Sequence, residues 1–205
     1  MHKIKIWEIS LLFGVSVAMV WGVGTNHTQE ELADSMLRLH IIANSDAPTD
    51  QENKLAVRDA VLNLVHEWGE QAKSVEEMEN IVTANLTQLE AAGQSALRAR
   101  GCNDMVTAEV TKCYFPTKKY EAFSLPAGNY TALRLKIGLG EGHNWWCVAF
   151  PVLCIGSGAE RLESAAQAGF FTREQADFLS GSGDQYVLKF KSMELLGQLK
   201  EFVCH

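Results

Sequence analysis

Residues 37–46 read LRLHIIANSD, and residues 47–61 continue as APTDQENKLAVRDAV. In the first segment leucine and isoleucine alternate with Arg38 and His40, and this period of two indicates a β-strand. The strand ends at the polar tripeptide NSD, because such side chains compete for backbone hydrogen bonds and favour turns. Apolar residues then recur every three to four positions, which predicts an amphipathic helix over residues 49–71.

A second helix is predicted over residues 74–100. Ser74 and Glu77 form a capping-box pair at its start, and Gly101 provides the stop that commonly follows a helix. The apolar faces of two successive helices must be buried against another apolar surface, and a β-sheet provides one. The predicted fold class is therefore α+β, a mainly antiparallel sheet with two long amphipathic helices on one face.

Three later segments have the alternation of strands. Apolar and polar residues alternate over 106–111 and 133–137, and a further strand is predicted over 145–150. The glycine-rich stretch GLGEGHN at 138–144 lies between the last two, which predicts an antiparallel hairpin. A phosphate-binding loop is the weaker interpretation, because it requires a following helix and a P-loop lysine.

Composition limits the classes of function. At 205 residues, with 47% hydrophobic and 21% charged residues, the chain is long enough to bury the core of a folded domain. A net charge of −7 argues against nucleic acid or an anionic lipid surface as the partner. We predict a single α+β domain over residues 37–205, weakly determined over 155–183 and preceded by a polar tether at 25–36.

The first 24 residues differ in character from the rest. Lys3 and Lys5 give a basic start, and residues 9–24 form an uncharged run. That run is long for a signal-peptide core and shorter than the span of about 20 residues that crosses a bilayer. We predict that residues 1–24 are an export signal or an uncleaved membrane anchor, with a buried first element of the domain as the alternative.

The cysteines are compatible with an exported protein. None of the five belongs to a CxxC pair of the kind that binds zinc or forms a thioredoxin-like motif. In an oxidising compartment Cys147 and Cys154 are the preferred disulfide candidates, and Pro151 between them offers a pivot. Bridging requires α-carbons within about 7 Å, so the chain must fold back between them. Free buried thiols are the alternative.

Catalytic and metal-binding motifs are absent from the sequence. The six histidines are scattered without HExxH-type spacing, so we predict no metal and no cofactor. His143 and Cys147 are the local pair that could act as base and nucleophile. An apolar strand raises a thiol pKa and lowers its reactivity, which makes this pair a poor candidate.

A polar patch at the end of the first strand is one candidate for binding a partner. It consists of Arg38, His40, Asn44 and Asp46. The alternative is that His40 is a structural histidine beneath a helix, with the hydrogen-bonding groups of its ring paired inside the fold. Turn and cap roles would then explain Asn44 and Asp46 without a ligand.

Paired tryptophans are the second candidate. Trp145 and Trp146 must point to opposite sides of one strand, so both are core residues only if both faces of the sheet are covered. An exposed tryptophan beside a glycine-rich loop is typical of the anchors that dominate binding energy at interfaces.

The segments LRLHIIANSD, DQENKLAVRDAV and GHNWWCVAFPVLC together resemble the stage II sporulation protein R family. The resemblance covers residues 37–153 and resumes more weakly over 185–202. It implies a non-enzymatic signal that the forespore exports into the intermembrane space between forespore and mother cell. There it activates a membrane-bound aspartic protease, the stage II GA protein, which removes the inhibitory pro-segment of the mother-cell sigma factor E.

Two other functions remain open at this point. One is a secreted cysteine- and histidine-dependent hydrolase that uses His143 and Cys147. The other is a structural or cell-wall-binding envelope domain without a switching role.

Overall fold

The computed structural model describes residues 10–14, 16, 31–120, 123–151, 153 and 158–180. These residues contain a four-stranded sheet with the spatial order β2-β5-β1-β6 and a separate two-stranded sheet of β3 and β4. The strands are β1 (Leu37–Ile42), β2 (Val106–Phe115), β3 (Lys118–Lys119), β4 (Ser124–Leu125), β5 (Gly128–Ile137) and β6 (Asn144–Phe150).

Helices occupy the connections between strands and the region after β6. They are α1 (Pro48–Gly69), α2 (Val75–Ala84), α3 (Leu86–Ala99), α4 (Gly158–Gln167) and α5 (Arg173–Ser180). A short helical segment at residues 31–34 precedes β1. The α+β class is confirmed, and α4 and α5 lie in the segment that the sequence determined weakly. The segment 185–202 and Cys154 lie outside the described residues.

The prediction of one helix over 74–100 is wrong. The start is correct, since the Ser74 hydroxyl accepts the backbone N–H of Glu77 at 3.1 Å. The helix is interrupted at Asn85, whose backbone leaves helical geometry (φ −117°, ψ 21°). The Asn85 side chain donates to the carbonyl of Ile81 at 2.8 Å, an example of an amide competing with the backbone ladder. Two shorter helices, α2 and α3, result.

The sheet is mixed and not simply antiparallel. Strand β1 pairs with β5 in parallel and with β6 in antiparallel orientation, while β2 and β5 are antiparallel. The predicted hairpin between β5 and β6 is therefore wrong, because β1 lies between these strands. The glycine-rich segment that joins them crosses the end of β1.

Apolar cores lie on both faces of the sheet. On the first face, the odd-numbered residues of β1 pack with α1, α2 and α3. On the second face, sheet residues that include Tyr130 and Val148 pack with residues 32–36, the β3–β4 hairpin, α4 and α5. Both faces of the sheet are therefore covered, and this arrangement has a direct consequence for β1. Its alternate, polar side chains are buried as well.

Near the start of the chain, the structure describes only residues 10–14 and 16, which are helical. The side chains of Leu11, Leu12 and Phe13 are exposed there. Within the described residues, no helix has the length and apolar character needed to cross a bilayer.

Candidate functional site

Two loops are joined where β1 ends and β6 begins. The carbonyls of Ala43 and Asn44 accept the backbone N–H groups of Gly142 and Glu141 at 3.0 and 3.1 Å. The side-chain oxygen of Asn44 accepts the N–H of Leu139 at 3.0 Å. We call these two segments, residues 43–47 and 138–143, the loop junction. The GLGEGHN segment therefore crosses the end of β1 and binds the loop that follows it, and it does not form the predicted hairpin turn.

Glycines allow the close crossing within the loop junction. A β-carbon on Gly142 would lie 2.2 Å from the carbonyl oxygen of Ser45. Gly138 has a φ of +54°, and a β-carbon there would lie 2.3 Å from Oδ1 of Asn44. Residues with a side chain rarely adopt such a φ, and the Asn44 side chain already occupies the space that a β-carbon would need. The glycine content of this segment is therefore explained by backbone packing, without a bound phosphate.

Asp46 holds the second side of the loop junction. Its Oδ1 accepts the backbone N–H of His143 at 2.6 Å and also contacts Nδ1 of the same histidine. The backbone hydrogen bond, followed by the ring contact, lowers the pKa of Asp46. The carboxylate of Asp50 accepts Nδ2 of Asn44 at 2.9 Å and the hydroxyl of Ser45 at 2.6 Å. Asn44 and Asp46 therefore have turn-stabilising roles, and their predicted contact with a partner stays a prediction.

A buried lysine ties the loop junction to α1. Lys54 is 5% exposed, and its Nζ donates to Oε1 of Gln51 at 2.5 Å and to the carbonyl of His143 at 2.9 Å. Burial lowers the pKa of this ammonium group. Sequence periodicity places Lys54 on a helix but offers no sign that it reaches a loop 89 residues away.

Arg38 is fully buried on the second face of the sheet. Its Nε donates to the carbonyl of Cys147 at 2.8 Å and its Nη2 donates to the Tyr120 hydroxyl at 3.1 Å. The guanidinium carbon lies 4.2 Å from the Phe115 ring centroid and 4.8 Å from that of Tyr130. We call the groups that surround this guanidinium, which are Phe115, Tyr120, Tyr130 and the Cys147 carbonyl, the arginine cage.

The arginine cage is made of neutral groups. Across the described ranges, no carboxylate pairs with Arg38, and its Nη1 has no hydrogen-bond partner. Burial lowers the pKa of Arg38. Burial also raises the pKa of Tyr120 and of Tyr130, so both cage phenols keep their protons. Aromatic faces and two oxygen acceptors replace the counterion that a buried cation usually requires.

His40 is buried beside the arginine cage. Its ring is stacked on Trp146 at a centroid distance of 4.0 Å, and its Nδ1 lies 4.0 Å from the Cys113 sulfur. Among the described residues, its Nε2 has no hydrogen-bond partner. Burial lowers the pKa of His40 and raises that of Cys113, which favours a neutral imidazole beside a protonated thiol.

Trp145 and Trp146 lie on opposite faces of β6, and both are half-buried. Trp145 packs on the first face, where the Arg58 guanidinium lies 4.5 Å from its ring centroid. Trp146 packs on the second face against His40 and Phe115. Both faces of the sheet are covered, which is the condition under which both tryptophans contribute to cores. Their role as contacts for a partner stays a prediction.

His143 and Cys147 do not form a catalytic pair in this structure. His143 is exposed in the loop junction, whereas Cys147 is 1% exposed and belongs to the first core. They are four positions apart along an extended segment, a span of about 13 Å. Because Cys154 lies outside the described residues, the predicted Cys147–Cys154 disulfide stays a prediction. The described ranges also hold no group of three or more histidine, cysteine or acidic side chains placed to bind a metal.

Comparisons with known proteins give a consistent family assignment. A family model described as stage II sporulation protein R matches residues 33–159. A curated relative, stage II sporulation protein R of Bacillus subtilis (strain 168), is 37% identical over 123 residues. That match covers 60% of this chain and 55% of the relative, so the chain spans only about half of that protein's length. No solved structure matches the chain.

Proposed function

The chain belongs to the stage II sporulation protein R family, and we propose that it is an exported signal for the mother cell. In this proposal it activates the membrane-bound aspartic protease known as the stage II GA protein, which then removes the pro-segment of sigma factor E. The observation that carries the proposal is the family match over residues 33–159. The compartment is the intermembrane space, reached through residues 1–24.

The chemistry of the described residues is consistent with a ligand that acts by docking. Asp46 is bound to the backbone and ring of a neighbouring histidine. Arg38 is enclosed by aromatic rings, and His40 is stacked on a tryptophan. These groups hold the fold together and do not converge on a shared nucleophile. A hydrolase based on His143 and Cys147 is disfavoured, because the fold keeps these residues apart.

Activation by a docked ligand sets an energetic requirement. The signal must bind the active conformation of the protease more tightly than the resting one, since equal affinity for both shifts no equilibrium. A change from 1:99 to 99:1 requires a difference of about 5.5 kcal/mol. A rigid ligand surface strengthens binding, because little conformational entropy is lost when it docks, and the difference must come from contacts made only with the active conformation.

Six residues remain the proposed determinants of protease binding, whether by direct contact or by support: Arg38, His40, Asn44, Asp46, Trp145 and Trp146. Arg38 and His40 are 0% and 6% exposed, so we propose that they act indirectly by holding the half-buried Trp146. Asn44 and Asp46 hold the loop junction in its observed shape. Substitutions at these positions should therefore be compared at equal folded fraction.

Reconstitution of the protease provides the test. Vesicles that contain the protease and the pro-form of sigma factor E are mixed with increasing amounts of the purified full chain, and pro-segment release is followed on gels. We expect release that saturates with added protein and disappears when a catalytic aspartate of the protease is replaced. Unchanged release without the added chain, or no release with folded chain at any concentration, would exclude the proposal.

A further inference from the structure

We propose that Met105 and Leu139 form the apolar centre of the surface that docks on the extracytoplasmic part of the protease. This inference rests on the proposed function and deepens it by assigning a contact surface. Met105 is 71% exposed and Leu139 is 72% exposed. Between residues 31 and 180, the described large hydrophobic side chains that are exposed are these two and Tyr114, which is 38% exposed.

The two residues are backbone neighbours at one end of the β2–β5 pair. Met105 immediately precedes β2, and its carbonyl accepts the backbone N–H of Gly138 at 2.8 Å. Leu139 is the next residue, at the start of the segment that crosses the end of β1. Isolated exposed apolar residues are common on proteins, so the adjacency of this pair is the informative observation.

Backbone hydrogen bonds fix the position of Leu139. Its N–H donates to Asn44 Oδ1 at 3.0 Å, and the flanking Gly140 N–H donates to the carbonyl of Ile137 at 3.0 Å. Next along the chain, Glu141 donates to the carbonyl of Asn44. Three hydrogen bonds donated by backbone N–H groups therefore hold a loop whose leucine side chain is exposed to solvent. Such pre-organisation favours binding, because the loop loses little entropy when it docks.

The charges around this pair define the partner. Asp104 precedes Met105, Glu141 follows Leu139 at two residues, and Asp46 lies in the same loop junction. Lys136 is the exposed lysine on this side, and its side chain packs against Gly140. Lys54, which binds the His143 carbonyl, is 5% exposed. Asp46 already contacts His143, so Asp104 and Glu141 are the carboxylates set against one exposed ammonium group, and this balance favours a basic partner. We therefore infer that the protease surface presents an apolar side chain flanked by lysine or arginine.

Substitutions at the pair test the surface in the reconstituted processing assay. Met105→Ser and Leu139→Ser remove exposed methyl-rich side chains without disturbing a core, so both variants should unfold at the same urea concentration as the parent chain. Tyr114→Ser is the control for a distant site, because it removes a partly exposed large side chain at the other end of the same strand, and its activity is compared at equal folded fraction. The few residues that carry most of the binding energy cluster near the centre of an interface, and a tenfold loss of affinity corresponds to about 1.4 kcal/mol. We expect each variant at the pair to need roughly ten times more protein for half-maximal processing, with little change for the control.

A charge reversal tests the chemistry of the partner. Glu141→Lys should weaken processing at low salt and reduce its dependence on salt concentration, since rim charges act mainly through long-range attraction. Light scattering of the parent chain and of Leu139→Ser tests whether the pair instead covers a second copy. A concentration-dependent dimer that the variant dissolves would overturn the inference, and so would full processing by both serine variants. If the parent chain itself fails to trigger processing, the proposed function fails, whereas active serine variants beside an active parent reject only this surface.

Discussion

Loss of the Tyr120 hydroxyl should lower the free energy of unfolding by more than the loss of a hydrogen bond between two neutral groups. It accepts Nη2 of Arg38 at 3.1 Å and lies 3.2 Å from the Trp146 carbonyl, to which it donates. Arg38 is 0% exposed, and within the described part of the chain its Nη1 is already without a partner. The Tyr120→Phe substitution keeps the ring but leaves a second nitrogen of a buried cation without an acceptor.

The expected magnitude follows from the charge of the donor. Hydrogen bonds to charged groups contribute about 1.5–3 kcal/mol, whereas neutral ones contribute about 1 kcal/mol. We therefore expect Tyr120→Phe to lower the free energy of unfolding by about 2–3 kcal/mol. Tyr130→Phe is the matched control, because its hydroxyl donates to the neutral carbonyl of Pro126 at 2.8 Å while its ring also faces Arg38. Its cost should be about 1 kcal/mol.

Removal of the cation should cancel most of the Tyr120 effect. Replacement of a buried charge by an apolar side chain of similar volume is often close to neutral. In an Arg38→Met background, Tyr120→Phe should cost about 1 kcal/mol or less, since only the bond to Trp146 is then lost. The cycle should give a coupling energy of about 1–2 kcal/mol between the two side chains, within the range found for residues in contact.

Urea unfolding of the four full-length variants, followed by circular dichroism, measures this coupling. With a slope of about 1–3 kcal/mol per molar urea, the predicted loss for Tyr120→Phe corresponds to a midpoint about 1 M lower. The reasoning is refuted if Tyr120→Phe and Tyr130→Phe cost the same, or if the Tyr120→Phe penalty is unchanged in the Arg38→Met background.

Three further predictions concern the loop junction and the cysteines. Gly142→Ala should destabilise the fold by about 1–3 kcal/mol in urea unfolding, because the new β-carbon meets a backbone carbonyl at 2.2 Å; equal stability would contradict the crossing described here. Since hydrogen bonds from His143 lower the pKa of Asp46, the stabilising effect of this carboxylate is present above the ordinary aspartate pKa and is lost as the pH falls through the lower, folded value. The stability difference between the parent chain and Asp46→Asn should thus be constant near neutral pH and shrink in acid, and a difference that grows in acid would contradict this assignment. Non-reducing peptide mapping of protein made in an oxidising compartment should show Cys147 linked to Cys154, whereas alkylation of both thiols would reject the bond.

Local features of the fold could be predicted from the sequence because they depend on neighbouring residues. The alternation over residues 37–42 identifies β1, and the NSD turn together with Pro48 places the start of α1. The Ser74 cap marks the start of α2 for the same reason. The break at Asn85 was missed, because apolar spacing continues across it and the competing side-chain hydrogen bond is invisible in the pattern.

Long-range features required the tertiary structure. Strand periodicity does not state which strands are neighbours, so the insertion of β1 between β5 and β6 could not be read from the segment that connects them. The same limit applies to the sites. Sequence spacing singled out Arg38, but its acceptor Tyr120 is 82 residues away on a loop with no periodicity of its own.

The sequence by itself determined the elements, the family resemblance and the two faces of β6, because side-chain direction follows from backbone period alone. Only the tertiary structure decided which of the polar residues are buried and which loops meet. Arg38 alternates with leucines in the same pattern as a solvent-facing residue. It is an interior cation because a second set of elements covers that face of the sheet. Burial is a property of the packed chain, and no local pattern specifies it when both faces of a sheet are covered.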